Sequence, residues 1–402
     1  MIARSVLALG LFTTAAIAAV PGNGQSAAHA VALVLPAKVI GQDQTKGQLA
    51  LKLDNLARID PADPLAGDNA EQTLSMFGRE DLVAAGSADY SATGCNPVTP
   101  AVDPLTEIER RARQTSIVII NESHVRSDQR GFIAVVAKRL RAIGYDTLAM
   151  ETLSHNAPNL KAAFQSPFIR QPNLPYLSDD DGFYLSEAGF GRLGRTAKAL
   201  GYRLLPYEMI FTGPPPAGET PAQQTIKREE AQATTLAAFV KAHPNAKLLV
   251  HVGYDHALEV PTADGNSWMA ARLKARTGID PLTISQTTCR GGGDTTRLSQ
   301  LPSSEPRGSF DLVVDHPPAR FVQGRPAWRV AAGDQPVAIP AALVPASGWR
   351  VIEARPVGEP ATSVPMDRVA IRHGETIALM LPPGRYQLRA IDIKRPAADA
   401  AR

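Results

Sequence analysis

The chain has 402 residues, 44% of them hydrophobic and 20% charged, with a formal net charge of +3. That length exceeds one ordinary domain and falls short of three, and the composition is that of a globular protein with a sizeable core. The small charge, without a long basic run, excludes the electrostatic footprint expected of a nucleic-acid binder.

The first thirty residues stand apart. Arg4 precedes the uncharged run "SVLALGLFTTAAIAA", with small-residue exits at 16–18 and 28–30. A short basic start, an apolar stretch too short for a bilayer and a small-residue exit read as a cleaved signal peptide over 1–30. No Cys follows it to carry a lipid, and no later run is apolar enough to be a membrane span. The protein is expected to be exported, periplasmic or secreted. Disulfides persist in such compartments, and Cys95 and Cys289 are the only two cysteines. Both lie in polar, loop-like sequence and are expected to pair, which would stabilise by about 5 kcal/mol in the chain-entropy model. Two unpaired thiols are the alternative; a CxxC spacing is absent.

Residues 31–105 form an N-terminal extension of mixed pattern. "VALVLPAKVIG" suggests a strand and "AEQTLSMFGREDLVAAG" a helix. A regular α/β core is expected over 106–300. A short helix at 107–114 precedes the apolar strand 116–120. Residues 129–143 carry Phe132, Val135, Val136, Leu140 and Ile143 at helical spacing, and Gly144 suits the C-terminal cap. The strand 147–150 ends at Glu151. A polar, aromatic and proline-rich segment over 154–187 is long for a plain loop, as segments bordering a site often are. A helix at 188–200, a strand at 202–207, a long helix at 219–242, a strand at 247–252, a helix at 267–277 and a strand at 281–286 follow. This alternation predicts an α/β fold with a mostly parallel sheet flanked by helices. Beyond the "RGGGD" loop the helical signals fade. The runs "FDLVVDH", "AWRVAAG", "GWRVIEARP" and "GRYQLRAIDI" predict a small antiparallel β domain over 305–395.

In open parallel sheets, ligands bind beyond the carboxyl ends of the strands. Every core strand that can be checked there carries an acid or an imidazole: Glu122 and His124, then Glu151, then Glu208, then His251 and His256. If 121–125 stays extended, Glu122 and His124 point the same way. A carboxylate and a neutral imidazole suit zinc, manganese or iron. Without a metal, the same groups can act as a general base toward water. Carboxylates crowded together without a cation would repel, a reason to expect a metal or a shared proton. Arg228 and Tyr254 are candidates for holding the substrate, with His251 beside them. The bland alternatives are a salt bridge from Glu208 to Arg203 or Arg228, and a hydrogen-bonded core imidazole at His251. HExxH, GxSxG, Walker and GxGxxG elements are absent.

"IVIINESH", "TLAMET", "LLPYE", "LLVHVGYDHALE" and "PLTISQT", in this order, resemble the superfamily of erythromycin esterases, TIKI-type metalloproteases and ChaN-like haem-binding lipoproteins. The resemblance covers about 116 to 288. Its Gly-Glu-x-His corner falls on Glu122-Ser-His124, with Asn121 where Gly is usual, and its later Gly-x-x-His element falls on Gly253-Tyr-Asp-His256. The resemblance implies an exported hydrolase cleaving an ester, lactone or amide of a small-molecule or peptide substrate. Glu122, His124 and His256 would be catalytic, and Glu122, His124, Glu151, Glu208 and His256 would hold a divalent metal. The ChaN-like relatives imply the alternative of haem or iron bound without turnover. A third reading is a structural envelope protein whose β domain docks a partner.

Overall fold

The computed structural model describes residues 30–157, 159–161, 165–210, 213–262 and 265–395. The signal-peptide expectation falls almost wholly on residues outside these. Val31–Val34 (β1) and Ile40–Gly41 (β2) open the described chain, followed by helices Gly47–Arg58 (α1), Ala70–Met76 (α2) and Glu80–Val83 (α3). The stretch expected to be one helix is thus two. Gly78, at φ +69°, takes the left-handed conformation between them, which glycine adopts without strain.

The central unit runs Pro104–Ala112 (α4), Ile117–Glu122 (β3), Ser127–Arg141 (α5), Thr147–Met150 (β4), Pro167–Arg170 (α6), Ala188–Ala199 (α7), Arg203–Pro206 (β5), Pro221–Ala242 (α8), Leu248–Gly253 (β6), Met269–Thr277 (α9) and Leu282–Ser285 (β7). Local chemistry fixes several starts. Asp103 accepts from the Thr106 backbone ahead of Pro104, and Thr220 with Gln223 forms a capping box ahead of Pro221. Both place proline where a missing N–H costs nothing. Arg297–Ser299 (β8) and Leu312–Asp315 (β9) complete a seven-stranded sheet in the order β5-β4-β6-β3-β7-β9-β8. Every pair in it is parallel except β8 with β9. This is the α/β architecture expected. The run "FDLVVDH", grouped with the C-terminal β region on sequence, instead supplies β9 to the main sheet.

The sheet is buried on both faces. Val118, Ile120, Leu148 and Met150 pack against Ile133, Val136 and Leu140 of α5 and Phe190 and Leu193 of α7. Ile117, Ile119, Val250 and Val252 pack against Leu236 of α8 and Met269 and Leu273 of α9. Burial on two sides explains why these strands read as unbroken apolar runs.

The chain then forms Phe321–Val322 (β10), Arg325–Pro326 (β11), Trp328–Ala331 (α10), Gln335–Ala338 (β12), Arg350–Pro356 (β13), Asp367–Ile371 (β14), Ala378–Leu381 (β15) and Gly384–Asp392 (β16). "AWRVAAG", expected as a strand, is the short helix α10, whose Trp328 indole donates to Ser127 at the start of α5. Strand β13 pairs antiparallel with β14 and β16, while β1 and β2 of the N-terminal extension join β16 in parallel. Cys95 and Cys289 form a disulfide, with 5.8 Å between their Cα atoms. Among the described residues, no helix is long and apolar enough to cross a membrane.

Candidate functional site

Strands β5, β4, β6 and β3 are consecutive neighbours in the sheet. Their carboxyl ends therefore meet along one rim. Glu122 is the last residue of β3, and Glu151 directly follows β4. His251 and Gly253 lie in β6, and Tyr254–Ala257 is a single 3-10 turn beyond it. Every acid and imidazole expected at a strand end stands on this rim.

The central pair is Glu122 and His124. His124 Nδ1 is 3.0 Å from Glu122 Oε1, and the imidazole is 13% exposed while the carboxylate is fully buried. The other carboxylate oxygen of Glu122 receives Arg130, eight residues on in α5, which also donates to Glu187 at 3.0 Å. Burial alone would raise the Glu122 carboxyl. Arg130, then the contacts to His124 and His251, outweigh it and hold the group below its ordinary range. An ionised Glu122 is a hydrogen-bond acceptor only, so it fixes the proton of a neutral His124 on Nδ1. Nε2 is then the free base. Among the described residues it has no hydrogen-bond partner. It points toward Gly253 and Glu151: a Cβ on Gly253 would lie 2.7 Å from Nε2 and 3.2 Å from Glu151 Oε2. Tyr184 stacks on the His124 ring at 4.4 Å, and Tyr254 meets it edge-on at 5.0 Å.

Glu151 forms the opposite wall. One oxygen accepts from the Gly253 backbone at 2.6 Å and the other from Arg228. Against the upward push of burial, His256, His124 and Arg228 bring its carboxyl down to about 2. Arg228 Nε also bonds both oxygens of Glu208 at 3.0 Å, and an Arg228 amine nitrogen is 3.1 Å from His256 Nε2. His256 Nδ1 stands 2.6 Å from Glu229 Oε1. Burial opposes a charge on His256, but Glu229 and Glu151 more than compensate and raise its pKa. His251 Nε2 is 3.8 Å from Glu122 Oε1, and neither ring nitrogen has a hydrogen-bond partner among the described residues. Burial lowers its pKa, so it is a neutral imidazole in the sheet.

Some roles differ from expectation. Arg228, a candidate for a substrate anion, is committed to Glu208 and Glu151. The Tyr254 hydroxyl is committed to Asp89 at 3.0 Å and lies 3.3 Å from Ser123 Oγ. Tyr254 is a non-glycine residue at φ +39°, a strained conformation of the kind that collects at functional sites. The metal expectation meets a donor set that does not fit it. Arginines occupy oxygens of Glu122, Glu151 and Glu208. Among the described residues, no group of three or more His, Cys, Asp or Glu is arranged to hold a metal ion.

Sequence reasoning missed Arg130, Tyr184 and Glu229, and the N-terminal cover of the site. Tyr184 sits in the long segment expected to border a site, which was the available signal. Asp89 bonds Ser123 Oγ, Tyr90 donates to the Val125 carbonyl at 2.7 Å, and Glu80 accepts from the Ser127 backbone at 3.1 Å. The extension thus clamps both sides of His124.

No family model matches the chain, and no curated protein matches it. Solved structures similar to it include the type III effector HopBA1, at 16% identity and a TM-score of 0.36, over 58% of this chain and 100% of that one. RRSP, a MARTX toxin effector domain from Vibrio vulnificus CMCP6, shows 16% identity and a TM-score of 0.35, over 58% of this chain and 51% of its own. A mutant of the erythromycin esterase EreC in its open conformation shows 12% identity and a TM-score of 0.16, over 80% and 66%. Likenesses of this size are no ground for assigning an activity.

Proposed function

We propose that the protein is an exported hydrolase that cleaves an ester, lactone or amide with water activated by His124. The observation that carries this reading is the oriented pair: Glu122 holds Nδ1 of His124, and Nε2, beside Gly253 and Glu151, has no hydrogen-bond partner among the described residues. A water hydrogen-bonded to Nε2 gives it a proton as its oxygen attacks the carbonyl carbon. The imidazolium so formed is stabilised by ionised Glu122 and returns the proton to the departing alkoxide or amine. Arg228, fixed by Glu151 and Glu208 and partly open to solvent, brings positive charge to the rim where the carbonyl oxygen gains negative charge. The positive charge a metal would supply is already present as Arg130 and Arg228.

The test is hydrolysis of 4-nitrophenyl acetate, a homoserine lactone and a peptide anilide by protein treated with chelator. Cleavage of at least one that persists after chelation and drops by at least about a hundredfold in His124→Ala supports the reading. Cleavage that disappears on chelation overturns the metal-free route. Unchanged turnover in His124→Ala, or no turnover at all, overturns the hydrolase.

A further inference from the structure

Helix α1 buries Leu49, Leu53 and Leu56, and on the same inward stripe it buries Lys52. A lysine at such a position is unusual, because an ammonium out of water is costly unless paired. Lys52 is 3% exposed, yet among the described residues no carboxylate pairs with it. The acids on and beside α1 are engaged elsewhere: Asp54 accepts from Gln42 at 2.5 Å and Asp180 from the Gln48 backbone at 2.8 Å. Burial without a compensating charge brings the Lys52 ammonium down to about 8.

The stripe packs against the His124 corner. Leu49, Leu53 and Leu56 share a cluster with Val125, and Tyr184 packs on that cluster. Lys52 Nζ lies 2.9 Å from the centre of the Phe183 ring. Phe183, 51% exposed, meets Tyr184 edge-on at 5.0 Å, and Tyr184 stacks on His124 at 4.4 Å. The amine therefore stands two aromatic rings from the proposed base, and the nearer of those rings, Phe183, faces solvent. Arg368 anchors the segment bearing both rings by bonding the Ser186 carbonyl and, at 2.9 Å, Asp179.

We propose that Lys52 is a cationic subsite of the His124 cleft, which receives a carboxylate at the far end of the substrate's acyl chain. The proposal rests on the hydrolase reading for the word substrate, but not for the anion site itself. The chain would lie along Phe183 and Tyr184, with its carbonyl at His124 and its carboxylate at Lys52. The substrate class is then a half-ester or half-amide of a dicarboxylic acid.

The experiment compares 4-nitrophenyl acetate with the 4-nitrophenyl hemiesters of succinic, glutaric, adipic and suberic acids. It uses the wild type, Lys52→Met and Lys52→Arg, with glutarate and suberate binding followed by calorimetry. The wild type should prefer one hemiester over acetate. Lys52→Met should lose about tenfold in kcat/KM for it, through KM, with acetate unchanged and with dicarboxylate binding weakened alike. Lys52→Arg should keep most of both. Dicarboxylate binding that needs Lys52, without turnover of any ester, would overturn the hydrolase and leave the subsite standing. Ester turnover with no hemiester preference, and identical behaviour of Lys52→Met, would overturn the subsite and leave the hydrolase standing. No dicarboxylate binding and no preference would also overturn the subsite.

Discussion

Gly253→Ala separates the geometry of the site from the stability of the fold. Gly253 ends β6 at φ −84° and ψ 150°, an extended conformation that alanine adopts freely. The backbone therefore gives no reason for glycine. The side chains do. The added methyl would sit 2.4 Å from His124 Cε1 and 2.7 Å from Nε2, whereas such atoms rest at about 3.5 Å. The imidazole must retreat by about 1 Å, away from the corner it shares with Glu151. Glu151 has less room to yield, because its Oε2 is held by the Gly253 backbone at 2.6 Å. A misplacement near 1 Å at reacting groups costs about a hundredfold in rate. The partly exposed His124 can move, and alanine reduces the entropy of the unfolded chain, so stability should change by no more than about 1 kcal/mol. Paired measurement of kcat/KM on whichever ester is cleaved, and of the urea midpoint, reads both quantities. Wild-type turnover in the variant would show that Nε2 does not act at that corner. A collapse in stability would show that the glycine serves packing instead.

Glu122→Gln removes the charge that faces a fully buried guanidinium and leaves Arg130 with Glu187 as its one ion-pair partner among the described residues. Stability should fall by about 3 kcal/mol in urea unfolding, and a loss within 0.5 kcal/mol of zero, the size of a surface change, would mean the pair is not the buried anchor described. His316 is buried, and burial holds its pKa near 4 against an ordinary 6.5. The unfolded chain therefore takes up a proton first as pH falls. The stability this group contributes is complete above 6.5 and is lost between 6.5 and 4, by up to about 3 kcal/mol. His316→Gln should flatten that part of a stability–pH curve, and an unchanged slope would refute the assignment. The double variant Cys95→Ser with Cys289→Ser opens a link between residues 194 apart in sequence. It should lose several kcal/mol, up to about 5, and an unchanged urea midpoint would refute that contribution.

Much of this was legible because burial on both faces leaves a simple trace. "SIVII", "TLAM" and "KLLVHV" can only be strands with covers on each side, and the acids and imidazoles that follow them then fall on a common rim. The disulfide was legible because there were only two cysteines to join. The N-terminal extension was not legible as a cover. Its contacts to the His124 corner run through Ser75, whose hydroxyl lies 3.5 Å from the His124 carbonyl, and through Glu80, Asp89 and Tyr90, polar residues with no periodic signal. Arg130 was hidden in an amphipathic helix whose polar positions read as solvent-facing, although it faces the core with 1% exposure. "AWRVAAG" misled because its alternation is short enough to fit either period, and the tertiary contact of Trp328 with α5 decided for a helical turn. "FDLVVDH" was a true strand assigned to the wrong sheet, since pairing between distant segments is not written in either one.

The arginines also resolve a difficulty posed by the carboxylates. Glu122, Glu151 and Glu208 stand at the ends of β3, β4 and β5, with β6 between β3 and β4, and carboxylates gathered on one rim repel unless a cation or shared proton lies between them. A divalent metal is one solution. The structure uses another: Arg130 meets Glu122 from the α5 side, and Arg228 bridges Glu151 and Glu208 from α8. Both guanidiniums keep their charge at any working pH, and with the neighbouring imidazoles they hold the Glu122 and Glu151 carboxyls below their ordinary range. An ionised Glu122 is what directs the His124 proton to Nδ1. A metal on Nε2 would consume the lone pair that the guanidiniums leave free. The pattern of acids and imidazoles that suggested metal ligation is thus equally the pattern of a base whose orientation is set by charge. Arg228 was a candidate site residue in the sequence and Arg130 was not, and the ion pairs these two make with the carboxylates are what favour the metal-free reading proposed above.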